Sequence, residues 1–158
     1  MLYNAQALIG DFEAALAVLL SSPVSHELQS APHRAHKLPE GACAVYVFSL
    51  AEVYGKGTPA GPNRVLKVGK VGCNSNARFQ SQHYNPRSAQ SNLARSLVEV
   101  RILWPYLGIV ELNESNVRRW IEDNTDRDNF YLRATDASHL SRLETYLRGR
   151  VGPVFEGG

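Results

Sequence analysis

Cysteine is scarce in this chain of 158 residues: only Cys43 and Cys73 occur, too few for a disulfide framework. A reducing, cytoplasmic location is the resulting expectation. No apolar run is long enough to span a bilayer, so no membrane-crossing helix is expected. The N-terminus carries Asp11 and Glu13 and lacks a basic leader, so Ala14 to Leu20 reads as helix and not as a secretory signal. Internal repeats and low-complexity tracts are missing too, which argues against a solenoid. Acidic residues are absent between Glu52 and Glu99, whereas Lys56, Arg64, Lys67, Lys70, Arg78, Arg87 and Arg95 all fall there.

That one-signed stretch matters more than the net charge of +2. Cations placed near phosphates release condensed counterions, so such a stretch suits a polyanion. The same residues also fit a scatter of solvated side chains that share no face. Hydrophobic content of 44% with 20% charged residues is ordinary for a globular chain, and the length suits one domain better than two.

Leu8, Ile9, Phe12, Leu16, Leu19 and Leu20 recur at helical spacing until Ser21-Ser22-Pro23 stops the run. Val24 to Glu40 is polar, holds Pro32 and Pro39, and reads as a connector. Two runs then read as strands, Ala42 to Ser49 and Arg64 to Val71, paired as an antiparallel hairpin across an exposed Gly/Pro-rich loop from Tyr54 to Pro62. A short helix from about Asn74 to Tyr84 follows, ended by Asn85-Pro86. Further helices are expected over Ser88 to Trp104 and Ser115 to Asn124, a third strand over Asn129 to Ala134, and a last helix from Asp136 to about Gly149.

Four residues stand out singly. Glu144 lies one turn after Leu140, on or beside the stripe Leu140, Leu143, Leu147 and Val151, where a carboxylate must be paired, metal-bound or at the stripe's edge beside Arg148. Arg78 falls in the first turn of its helix, a poor place for a cation unless an anion shares it. Gly69 lets something approach the second strand closely. Tyr46 sits in an otherwise apolar strand and fits a core aromatic equally well. His33 and His36 have near-helical spacing but no third ligand, and read as solvated.

Taken together, Ala44-Val45-Tyr46, Lys67-Val68-Gly69-Lys70, Arg78 to His83, and Leu143-Glu144 with Leu147, Pro153 and Phe155 resemble the motifs of the GIY-YIG nuclease superfamily. Ala44 stands where the family has Gly, Lys67 where it has its second Tyr, and Glu156 where many members have Asn. The resemblance covers about 41–156, with a probable insertion at about 88–127, preceded by an N-terminal helix and connector over 1–40.

The resemblance implies an α+β fold: a small, three-stranded antiparallel sheet flanked by helices, here with an N-terminal helical extension. It also implies a metal-dependent endonuclease cutting phosphodiester bonds in nucleic acid, DNA before RNA. Glu144 would hold Mg²⁺ or Mn²⁺, Arg78 would neutralise the phosphate, and Tyr46 would handle the attacking water. Lys67 or Lys70 would favour the phenolate, and His83 would replace the missing second-strand hydrogen bond. Lys56, Arg64, Arg87 and Arg95 would track the nucleic-acid backbone. The altered positions keep open a second reading, a binding module of the same fold without turnover.

Overall fold

The computed structural model describes residues 4–16, 19–88 and 92–156. Its first element, α1 (Ala5–Ala15), starts at Asn4, whose side-chain oxygen accepts from the Ala7 N–H at 3.1 Å. Leu8, Ile9 and Phe12 form its buried stripe. The helix ends five residues before the expected stop; of the remaining run, residues 17 and 18 lie outside the described part and Leu19 is exposed.

The sheet has four strands where three were expected. Ser25–Gln29 (β1), inside the supposed connector, pairs antiparallel with Thr125–Arg133 (β4), from Ser25 opposite Tyr131 to Gln29 opposite Arg127. Polar cross-strand contacts hold it: His26 Nε2 meets Asp128 Oδ1 at 2.6 Å, and Glu27 accepts from Asn129 Nδ2 at 3.0 Å and the Tyr131 hydroxyl at 2.8 Å. Between β4 and Val65–Val71 (β3) runs Ala42–Leu50 (β2), giving the order β1-β4-β2-β3, all antiparallel. As the inner strand of the pair, β2 is buried from Cys43 onward on both faces, which is why its sequence is almost unbroken Val, Tyr, Phe, Ala and Leu.

Pairing between β2 and β3 slips by one residue. Phe48 faces Lys67 but Ser49 faces Val65, so Leu66 is an extra residue, a β-bulge. Leu66 therefore packs with Phe48 and Tyr46 on one side of the sheet, although Lys67, its neighbour, pairs with Phe48. Regular alternation would set these two neighbours on opposite faces, and the bulge breaks it.

Helices cover both faces. On the first, Tyr46, Phe48 and Leu50 pack against Leu93–Glu99 (α4), Trp104–Leu107 (α5) and Val117–Asn124 (α6). On the second, Val45 and Val47 pack against α1 and the last helix, Leu140–Val151 (α7), through Leu140, Leu143 and Leu147. Two short helices, Glu52–Lys56 (α2) and Asn76–Gln80 (α3), lie beside β2 and β3, and α2 occupies part of the expected loop.

The single helix expected over Ser88 to Trp104 is instead α4, a 3-10 turn over Arg101–Leu103 and α5; residues 89–91 lie outside the described part. β4 begins four residues earlier than expected, inside the supposed insertion. After α7 the chain turns back along the outer edge of β3, where the Val154 N–H reaches Val65 O at 3.0 Å and the Phe155 N–H reaches Leu66 O at 2.9 Å. Among the described residues no helix is long and apolar enough to cross a membrane.

Candidate active site

Tyr46 is fully buried at the middle of β2, directly opposite Gly69. Its ring crosses the strand where a side chain would otherwise stand. A Cβ on Gly69 would lie 2.6 Å from Tyr46 Cε2 and 2.9 Å from its hydroxyl oxygen, so only glycine leaves the passage open. The ring thereby carries its hydroxyl over β3 toward Arg78 and His83.

His83, also buried, places Nε2 2.6 Å from the Tyr46 oxygen, and its Nδ1 accepts the Leu93 N–H at 3.2 Å. Burial, reinforced by the nearby charges of Arg127, Arg78 and Lys67, holds its pKa well below the usual histidine range. A neutral ring whose Nδ1 is an acceptor carries its proton on Nε2. His83 is thus assigned as a donor to Tyr46, not as a base that takes the phenolic proton.

Arg78 bonds the same oxygen, and its Nε also donates to the outward carbonyl of Lys70 at 2.8 Å, which fixes the guanidinium on the β3 edge. Burial is the largest influence on Tyr46 and pushes its pKa up to about 12, although Arg78 and Arg127 draw it down; the Glu144 charge adds to the rise. The two donors favour the oxygen as its proton leaves, and burial opposes that loss.

Lys67 joins from β3 and is nearly inaccessible, at 2% exposure. Burial first, then the Arg148 and Arg78 charges, lower its pKa, and the Glu144 carboxylate partly restores it. Glu144 itself projects from α7, which packs on the sheet face away from the Tyr46 ring, and meets Lys70 of β3. There it lies 3.8 Å from Lys70 Nζ and 3.6 Å from Arg148 Nη2 with its side chain 13% exposed. Lys70 is steadied by donating to Ser141 Oγ at 2.7 Å. One carboxylate is therefore paired with Lys70 and Arg148 beside the Lys67 charge, and Arg78 joins the group through Tyr46 and Lys67.

Tyr46, Lys67, Lys70, Arg78, His83 and Glu144, far apart in sequence, thus come together. The reason given for Arg78 does not survive: α3 has only five residues and no side-chain N-cap, so it offers no helix terminus for an anion. Lys56, Arg64, Arg87 and Arg95 do not join the cluster. Arg64 donates to Tyr106 Oη at 3.3 Å and Gly152 O at 2.8 Å, and Arg95 to the carbonyls of Pro86 and Ser88. Lys56 and Arg87 are exposed but lie 3.4 Å from Glu52 and 2.7 Å from Glu114.

Arg127 and Arg148 were missed as members of the site. Arg127 was hidden because β4 was started at Asn129. Arg148 was visible only as a helix partner for Glu144. The histidines read as solvated also have partners: His33 is buried between Thr125 O and Tyr84 Oη, both at 2.8 Å, and His36 binds Glu27 at 2.8 Å.

Glu144 is the one carboxylate placed to hold a metal here, and among the described residues no three His, Cys, Asp or Glu side chains could do so jointly. A hard cation such as Mg²⁺ or Mn²⁺ fits that donor set only with phosphate and water oxygens completing it. Two cavities, of about 470 Å³ beside Ala31, Tyr54 and Asp126 and about 420 Å³ beside Pro23, Pro39 and Tyr131, lie elsewhere. No family model, curated protein or solved structure matches this chain.

Proposed function

We propose that this chain is a metal-dependent endonuclease of the GIY-YIG type, acting on nucleic acid, with DNA the first substrate to test. The observation that carries the reading is the group of four cations shared between the Glu144 carboxylate and a phenol held by two hydrogen-bond donors. Four positive groups gathered beside one carboxylate and one phenol make a site for an anion with several oxygens, and a phosphodiester meets that description. The middle strand carrying Tyr46 and the neighbouring strand carrying Gly69 also agree with the motif order that the resemblance implies.

In this reading Arg78 and Lys67 neutralise charge growing on the nonbridging oxygens. Tyr46 orients the attacking water through its hydroxyl, whose oxygen the His83 Nε2–H and the Arg78 guanidinium hold in place, and the water's proton leaves to a phosphate oxygen of the substrate. Glu144 would hold a single Mg²⁺ or Mn²⁺ with oxygens of the substrate, which supplies Lewis-acid polarisation of the phosphate when bound. Lys70 and Arg148 then move from the carboxylate to the strand.

The burial of Tyr46 favours one alternative, a nucleic-acid-binding module of the same fold without turnover, because water must reach a hydroxyl that the rim covers. The deciding experiment incubates the protein with labelled single-stranded and duplex DNA and RNA in Mg²⁺, Mn²⁺ or EDTA. Cleavage with metal and none with EDTA is expected. Tight binding with no cleavage in any metal replaces the nuclease by the binding module.

A further inference from the structure

We propose that Arg127 is a positioning residue of this site: a sealed, permanent cation that fixes the proton arrangement of the Tyr46–His83 pair whether or not a phosphate is bound. The inference rests on the nuclease reading for its effect on rate, and on geometry alone for its effect on the pair.

Arg127 is fully buried on β4, yet among the described residues it makes no ion pair. Its guanidinium carbon lies 4.3 Å from the Phe79 ring centroid, 4.8 Å from Tyr46, 5.2 Å from Phe48 and 6.0 Å from Tyr84. Nε donates to Asn129 Oδ1 at 2.9 Å and Nη1 to Tyr84 Oη at 3.2 Å, whereas Nη2 has no partner. The nearest compensation is relayed: Asn129 donates onward to Glu27. A buried charge without a carboxylate is costly, and an apolar side chain of similar volume would fill the space at less cost. Packing is therefore a poor explanation for the charge.

The charge does act on the pair. His83 is faced by Tyr46 from β2, Lys67 from β3, Arg78 from α3, Arg127 from β4 and the Leu93 N–H from α4. Every charged group among them is positive, so a second ring proton is disfavoured, and the Leu93 N–H leaves Nε2 as the place for the first. Lys67 and Arg78 lie where a phosphate would meet them, and on binding it their charges would be offset by the ligand. Arg127 is out of reach of any ligand and keeps its effect. It thereby keeps His83 a donor to Tyr46 at the moment when the other two cations are occupied.

The test is ¹⁵N NMR of the full chain, following the His83 ring nitrogens against pH in the parent, Arg127→Met and Arg127→Lys, with and without a short DNA duplex in EDTA. The parent should hold the neutral Nε2–H ring at neutral pH, duplex included. Arg127→Met should move the His83 titration up by about one pH unit, more with duplex bound. Arg127→Lys should stay near the parent. Cleavage by the Met variant should lose about tenfold in kcat with KM unchanged, since a buried residue cannot touch the strand.

A folded Met variant whose His83 titrates like the parent's overturns the proposal, as do Met and Lys variants that behave alike. Arg127→Gln is the second uncharged replacement. If neither uncharged variant folds, the parent decides by its response to the ligand: a His83 ring that gains a second proton at neutral pH when the duplex binds sinks the idea, and one that stays neutral supports it. A parent that cuts nothing while His83 shifts as expected fails the nuclease reading and leaves the role of Arg127 intact.

Discussion

Five of the seven cations of the acid-free stretch end in two kinds of place, and the other two, Lys56 and Arg87, stay exposed beside Glu52 and Glu114. Arg64 and Arg95 turn inward and spend their directed donors on the chain's own oxygens, tying distant loops together. Lys67 and Lys70 lie beside a single carboxylate from another part of the chain, helped by Arg148, and Arg78 stands next to them on the Tyr46 hydroxyl. Both sets are positive, and only the second leaves charge that a ligand can compete for. A basic stretch in a sequence therefore reports how much charge is available, and the partners of each side chain decide what it does.

The largest test of that contrast is Glu144→Ala. It should abolish metal-dependent cleavage and leave nucleic-acid affinity unchanged or slightly higher, since Lys70 and Arg148 are released; gel-based cleavage and fluorescence anisotropy read the two. Arg78→Ala should cost about 10²-fold or more in rate, the usual loss for a donor aimed at developing negative charge. Tyr46→Phe should keep the fold and lose most of the activity, and a variant as fast as the parent would remove the phenol from the mechanism.

Lys67 offers a test with a sign. Its folded-state pKa lies below the unfolded value, so burying the charged form costs stability, and that cost fades as pH rises through the folded pKa toward about 10.4. Lys67→Met should accordingly raise Tm at neutral pH, with a gain that shrinks in alkaline buffer, and should slow cleavage. His83 acts at the other end: its depressed pKa makes the fold lose stability as pH falls below about 6.5. Thermal melts across that range check the loss, which should be smaller in His83→Phe if that variant folds.

The smallest effects sharpen the comparison from its inward side. Arg64→Ala or Arg95→Ala should each lower stability by about 1 kcal/mol through lost hydrogen bonds and leave the salt dependence of binding as it was. Lys70→Ala or Arg148→Ala should flatten that dependence by about one unit of slope. A flattened slope from Arg64→Ala would merge the two groups.

Much of the site was legible before the fold. Tyr46, Gly69, Arg78, His83 and Glu144 were each singled out from the sequence and lie near one another in the fold, and β2 declares itself by an apolar run buried on both faces. What escaped has a common cause. β1 reads Ser-His-Glu-Leu-Gln and is held by side-chain hydrogen bonds to β4, so no hydrophobic period marks it. β4 opens with Thr125-Asp126-Arg127-Asp128, charges that suggest a surface although Arg127 is inside. The bulge at Leu66 has no residue signature, because it arises from how two strands meet and not from either alone.

The gap left by Gly69 offers a control that no charge mutation can. Tyr46 is boxed in by Phe48, Phe79, His83 and Arg127, so a methyl group on Gly69 has no slack ring to push aside. Gly69→Ala keeps every acid, base and cation in the protein and changes only where one oxygen points. Such a variant is a misaimed copy of the parent, with the same inventory of groups and the same net charge. Its residual activity would measure how much of the site's work lies in alignment.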